Sequence, residues 1–182
     1  AVRDLIDAAR PDRVFHLAAL AQVGASFRDP WKTLENNIRV QLNLQEAILR
    51  SGLDTRILII SSSEIYGAAG GSTHQIDESF PFAPGSPYSV SKVTQDMLGL
   101  QYHLAHGMAI IRARPFNHIG PSQKGGFVAA DFASQIAAIE AGQQEPVMFV
   151  GNLTAERDFT DVRDVVRAYH LLLEHGTPGD AY

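Results

Sequence analysis

The chain has no cysteine, which removes disulfides, thiolate nucleophiles and cysteine-ligated metals together and suits a reducing compartment. Basic residues are also few. With 15 Lys and Arg against 20 Asp and Glu, the formal net charge is -5, so there is no broad positive surface for a phosphate backbone and no nucleic-acid partner is expected. No apolar run approaches the roughly 18 residues of a membrane-spanning helix, and no basic-then-apolar signal pattern opens the chain. The expectation is a cytoplasmic protein without a membrane partner. A starting methionine is missing too: the chain opens on Ala1 inside an amphipathic pattern (Val2, Leu5, Ile6, Ala9) and stops at Tyr182, as an internal piece of a longer chain would.

What the chain does contain is enough for one ordinary core, with 45% hydrophobic and 19% charged residues. Its elements alternate. After the opening helix, residues 13–17 (RVFHL) form a short β-branched and aromatic run expected to be a buried strand. A long helix follows, with Pro30 in its first turn, Gly52 just past its end, and an apolar stripe of Leu34, Ile38, Leu42, Leu44, Ala47 and Ile48. Residues 56–60 (RILII) are too short for a helix and apolar enough for a strand covered on both faces. A polar loop is expected over 67–87, a helix over 88–106 stopped by Gly107, and a strand over 108–113. A helix over 127–141, a strand over 147–150 and a final helix over 161–174 complete the pattern. Strict alternation predicts a doubly wound α/β fold, a parallel sheet with helices on both faces and ligands at the carboxyl ends of the strands.

Those strand ends carry the chemistry. The RILII strand runs into Ser61-Ser62-Ser63-Glu64-Ile65-Tyr66-Gly67, where hydroxyls and a carboxylate either face a ligand or simply satisfy loose backbone groups. Tyr88 and Lys92 lie four apart, hence on one helix face, where an ammonium beside a phenol favours the phenolate. His103 and His106 have no third ligand at metal spacing and are expected to be ordinary helix histidines; no metal site is expected.

Five segments in order, HLAA at 16–19, SSSEIYG at 61–67, PYSVSK at 87–92, RPFNHIGP at 114–121 and GNLTAERDFTDVRDVV at 151–166, resemble the extended short-chain dehydrogenases/reductases that act on nucleotide-activated sugars. The resemblance implies a Rossmann-like, nicotinamide-binding enzyme using NAD(P)H. It makes Tyr88 the catalytic acid or base, Lys92 the residue that lowers its pKa and holds the nicotinamide ribose, and Ser62 the partner of the reacting sugar oxygen, with Ser63 close by. It places Leu17, Ala18, Ala19, Asn37, Pro115, Phe116 and His118 at the cofactor, and Asn117, Val128, Asn152 and Arg157 at the substrate. Other readings stand beside these: Asn37 as a mid-helix polar residue bonding locally, and Arg157 in a surface ion pair with Glu156 or Asp158. The family's dimer contact would use the helices at 30–51 and 88–106.

No G-x-x-G-x-x-G turn occurs, and Gly67-Ala68-Ala69-Gly70-Gly71 opens a polar loop, not a helix. The chain is therefore expected to be the central part of the nicotinamide-binding domain, lacking the first strands and the C-terminal substrate region, with the substrate-binding part beginning near residue 114. Within the family the chain most resembles the GDP-4-keto-6-deoxy-D-mannose reductases, which form GDP-D-rhamnose. The related GDP-mannose 4,6-dehydratases use a glutamate at the place of Glu64 as a base, but usually carry a basic residue and Trp-Gly-His where this chain has Asp131 and Phe159-Thr160-Asp161. A dehydratase or epimerase using Glu64, or a non-catalytic nucleotide-binding module, are the alternatives.

Overall fold

The computed structural model describes residues 1–70 and 75–182. In chain order it contains α1 (Val2–Ala9), β1 (Arg13–His16), α2 (Val23–Arg28), α3 (Pro30–Ser51), β2 (Arg56–Ile60), a 3-10 segment (Ser63–Gly70), α4 (Pro87–His106), β3 (Ile110–Ala113), β4 (Asn117–Ile119), α5 (Val128–Glu140), β5 (Phe159–Asp161) and α6 (Val162–His175). No helix among the described residues is long and apolar enough to cross a membrane. The chain divides into two compact units, one of residues 1–116 with 166–182, the other of residues 117–165.

In the first unit, β1, β2 and β3 lie side by side in that order, all parallel, with Ile57 in register with Val14 on one side and Ile110 on the other. The RILII run is as deeply covered as its composition predicts: Ile57, Leu58 and Ile59 have no exposed surface. One face packs Ile57, Ile59 and Ile110 against Ala47, Ile48 and Tyr102 of α3 and α4. On the other, the Arg56 guanidinium donates to the carbonyls of Leu173 and Gly176, each at 2.7 Å, at the end of α6. The last residues run along the open side of β3, where the Arg114 N–H donates to the Tyr182 carbonyl at 2.7 Å.

Helix limits follow local chemistry. Asp29 accepts the Lys32 N–H at the start of α3, Pro30 fills its first turn, and Gly52 takes the left-handed stop at φ 65°. Ser86 and Ser89 cap one another at the start of α4, and Gly107 ends it. The apolar α3 stripe forms in part, with Ala47 and Ile48 buried and Leu42 and Leu44 packed against the same core, and a polar line is buried beside it. Leu34, Ile38, Leu42 and Leu44 are only half-buried, whereas the polar line Thr33, Asn37, Gln41 and Gln45 is buried. Helix carbonyls keep a second lone pair, and the amides use it: Gln41 donates to the Gln95 carbonyl at 2.7 Å and Gln95 to the Asn37 carbonyl at 2.9 Å, locking α3 to α4.

The second unit holds the parallel pair β4–β5, with Asn117 opposite Phe159 and Ile119 opposite Asp161. The strand expected over 147–150 does not form. The Phe149 backbone is satisfied instead by the Gln135 side chain of α5, which accepts its N–H at 2.7 Å and donates to its carbonyl at 3.0 Å. The loop expected over 67–87 is entered by the 3-10 segment, kinked at Gly67; Gly71 and the rest of residues 71–74 lie outside the described residues.

Candidate active site

β2 and β3 end together. The Ser61 N–H donates to the Ala113 carbonyl at 2.7 Å and the Ser63 N–H to the Pro115 carbonyl at 2.9 Å, so the serine cluster turns off the sheet at its carboxyl edge. Ser62 is buried there, its hydroxyl accepting the Glu64 N–H at 3.2 Å. The 3-10 segment then turns sharply at Gly67, φ 61°, where an added Cβ would stand 1.9 Å from the Ala83 carbonyl oxygen; only glycine admits that approach. The Ala83 N–H in turn donates to Ile65 at 2.9 Å, drawing the following loop against the segment.

α4 begins beside this turn and delivers Tyr88 and Lys92 from its first turns, both buried. The Tyr88 phenol lies near enough to Ser62 and Glu64 for both to act on its ionisation. Burial raises the phenol above its usual value, the Ser62 hydroxyl pulls the other way, and the nearby Glu64 charge raises it further. This differs from the lowering that the Tyr–Lys spacing suggests. Burial is the main reason, and the ammonium does not offset it: Lys92 Nζ donates to the Ile60 carbonyl at 2.8 Å and stands 5.8 Å from the centre of the Tyr88 ring. Burial also brings the Lys92 ammonium itself down to about 8.

Two further residues back this pair. His16, at the end of β1, is buried with Nε2 lacking a hydrogen-bond partner among the described residues; burial first, then the Lys92 charge, hold its imidazole down to about 4. Nothing in the spacing of HLAA announces this. Asn37 is fully buried and saturated: Oδ1 accepts from the Leu20 N–H at 2.7 Å and from Asn36, while Nδ2 donates to the Leu20 carbonyl at 3.2 Å and to Ser91 at 2.9 Å. Its immediate partners are therefore the stretch after β1 and α4, which combines the local reading with a long-range one. Leu17 and Ala18 stand exposed just past β1, and Ala19 is half-buried, leaving an open backbone edge where the cofactor is expected. Pro115 and Phe116 close the same unit, with Phe116 37% exposed.

The remaining candidates lie in the second unit. Asn117 and His118 form β4 and are half-buried. Val128 opens α5 and lines one concavity with Gln135, Phe149 and Gly151, next in sequence to Asn152. The Asn152 carboxamide accepts from the Thr154 N–H and hydroxyl at 2.9 and 2.8 Å. Arg157 is exposed and donates to the Glu156 carbonyl at 2.7 Å; among the described residues it forms no ion pair with Glu156 or Asp158. His103 bonds the Met108 carbonyl and His106 stacks near Tyr102, so each is occupied locally.

Comparisons with known proteins bear on the family and the fold. A family model described as GDP-mannose 4,6 dehydratase matches residues 1–182. The chain is 43% identical to the GDP-6-deoxy-D-mannose reductase of Pseudomonas aeruginosa over 172 residues, 94% of this chain and 57% of that protein. It is 34% identical to a GDP-mannose 4,6-dehydratase of Sinorhizobium fredii over 178 residues, 97% of this chain and 50% of that protein. Among solved structures, the P. aeruginosa protein RMD complexed with NADPH is similar with a TM-score of 0.90 at 43% identity, the match covering 94% of this chain and 58% of that one. A Thermotoga maritima UDP-glucose 4-epimerase with UDP-glucose gives 0.87 at 29% identity, covering 100% and 57%. The chain thus spans about half the length of the relatives it matches.

Proposed function

The chain belongs to the GDP-mannose 4,6-dehydratase family, and on that premise we propose that its protein reduces the 4-keto group of GDP-4-keto-6-deoxy-D-mannose to give GDP-D-rhamnose, using NADPH or NADH. The observation that carries the reading is the burial of Tyr88 and Lys92 in the first turns of α4 together with Ser62 at the carboxyl edge of the sheet, burial holding the phenol in its protonated form. Reduction needs that form. The nicotinamide, when bound, supplies a hydride; Tyr88 and Lys92 would hold its ribose and the exposed backbone after β1 its approach. Ser62 hydrogen-bonds the C4 oxygen, and Tyr88 gives that oxygen its proton as the carbon takes the hydride, turning ketone into alcohol while the nicotinamide is oxidised. Asn117, Val128, Asn152 and Arg157 are assigned to the GDP-sugar, the exposed guanidinium of Arg157 suiting a diphosphate. Residues from about 114 onward are read as the start of the substrate-binding part, a reading supported by the separate unit at 117–165. A cytoplasmic homodimer goes with this function, supported by the apolar strip of Met97, Leu100, Leu104 and Ala105 on α4.

The second reading, a GDP-mannose 4,6-dehydratase, is favoured by one observation: the Glu64 carboxylate acts on Tyr88 electrostatically, from the position where such a base is expected. The two differ in stoichiometry. Reduction consumes one reduced nicotinamide per product, while dehydration regenerates it and needs a base for the proton next to the transient ketone. Tyr88→Phe in the native protein is expected to lower turnover at least about a hundredfold with nucleotide-sugar affinity within a few-fold, and Glu64→Gln to cost well under about a hundredfold. If the protein instead converts GDP-mannose with no net change in nicotinamide absorbance, and Glu64→Gln abolishes this, it is a dehydratase.

A further inference from the structure

Tyr88, Lys92 and Asp96 fall four apart on α4, and the third is an acid with no exposed surface. It takes three hydrogen bonds from two arginines of β3 and its end. Arg112 donates to one carboxylate oxygen at 2.6 Å; Arg114 donates from Nε and its Nη2 amine at 2.8 and 3.0 Å, as a two-pronged fork. The other terminal amine of Arg114 turns away from α4 toward the serine loop. It donates to the Tyr66 hydroxyl and to the Glu78 carbonyl, both at 3.0 Å. The Cζ of the same guanidinium lies 5.0 Å from the centre of the Phe82 ring and 5.8 Å from that of the Tyr66 ring, and Tyr66 packs edge-on against Phe80.

One buried side chain thus ties the helix that carries Tyr88 and Lys92 to the segment that carries Ser62 and Glu64. Tyr66 lies four residues beyond Ser62, at the end of the tight turn, so rotation or slippage of that turn moves Ser62 relative to the phenol. We infer that Arg114 is a positioning residue for the reaction, acting through Tyr66 to hold Ser62 against Tyr88. The ion pair with Asp96 by itself would only fix β3 to α4. The outward bond to Tyr66 is the part that reaches the reacting groups, and a lysine has no fork with which to hold both ends. This rests on the reading of Ser62 and Tyr88 as the pair that acts on the sugar oxygen.

Tyr66→Phe in the native protein tests it, because the phenylalanine keeps the ring packing and deletes one hydrogen bond. Turnover is expected to fall about three- to tenfold, with KM for the nucleotide sugar and for NADPH within about twofold. Arg114→Lys is expected to show the same split with a larger fall. The decisive measurement repeats Tyr66→Phe in a Ser62→Ala background. If the bond acts through Ser62, the second change costs turnover little there, since the group it positions is gone. Unchanged turnover in Tyr66→Phe, or a loss that multiplies in full onto that of Ser62→Ala, overturns the positioning role and leaves the assignment of Ser62 intact. If Ser62→Ala alone costs nothing, the reading of the site fails and this inference with it.

Discussion

His16 and Lys92 are both buried, and burial first, then the Lys92 charge, disfavours a proton on the imidazole. His16 is neutral in the folded chain, with a pKa near 4 against 6.5 when free. The unfolded chain therefore binds the additional proton between those values. Stability is fully present above pH 6.5 and is lost as pH falls toward 4, by about 3 kcal/mol from this residue at most. Urea unfolding of the native protein and of His16→Leu at a series of pH values checks this: the wild type is expected to lose the extra stability and the variant to lack that slope. Parallel curves would show that His16 is not buried as the neutral form. The same scale shows what residue type and spacing convey. Tyr88, Lys92 and Ser62 stand out as candidates because their chemistry and order in the chain are distinctive, and all three are buried. The direction of the Tyr88 pKa is not legible, because it depends on burial and on the aim of Lys92 Nζ toward Ile60, neither of which a four-residue spacing contains.

Among the elements, α4 places the Tyr88 phenol, and its N-terminus is set by a pair of serines. The Ser86 hydroxyl accepts the Ser89 N–H at 3.0 Å while the Ser89 hydroxyl accepts the Ser86 N–H at 2.8 Å. Tyr88 is the second residue of this first turn. Ser86→Ala is expected to lower the unfolding free energy by about 1 kcal/mol, measured by urea titration, and to reduce turnover more than it raises KM. Unaltered stability would show that Ser89 holds the turn alone. Other elements show where periodicity runs out. Periodicity finds α3 and its inner side at Ala47 and Ile48 but misses the buried polar line beside it, since glutamine counts as polar until a neighbouring helix offers carbonyls to bond. The run at 147–150 has strand composition, yet a strand needs a partner, and Gln135 supplies the hydrogen bonds instead. β4 and β5, three residues each, are too short to announce themselves and exist through their mutual pairing.

For the whole molecule, the feature that decides cofactor affinity is the glycine-rich turn that presents backbone N–H groups to a pyrophosphate, and no such sequence occurs in these 182 residues. Titration of the 182-residue chain alone with NADPH by calorimetry is expected to give no saturable binding in the micromolar range. Micromolar or tighter binding would show that the residues around Leu17, Tyr88 and Lys92 suffice. The α/β class and the parallel sheet follow from the sequence by itself, because alternating short apolar runs and amphipathic helices have few ways to bury both faces of a strand such as Arg56–Ile60. The pairing of Ser62 with Tyr88 across 26 residues, the convergence of Asp96, Arg112, Arg114 and Tyr66 into one buried network, and the neutral state of His16 were decided only by the tertiary structure. Each depends on distance through space and on exclusion of water, which set hydrogen-bond partners and protonation, and these arise only when the chain closes on itself.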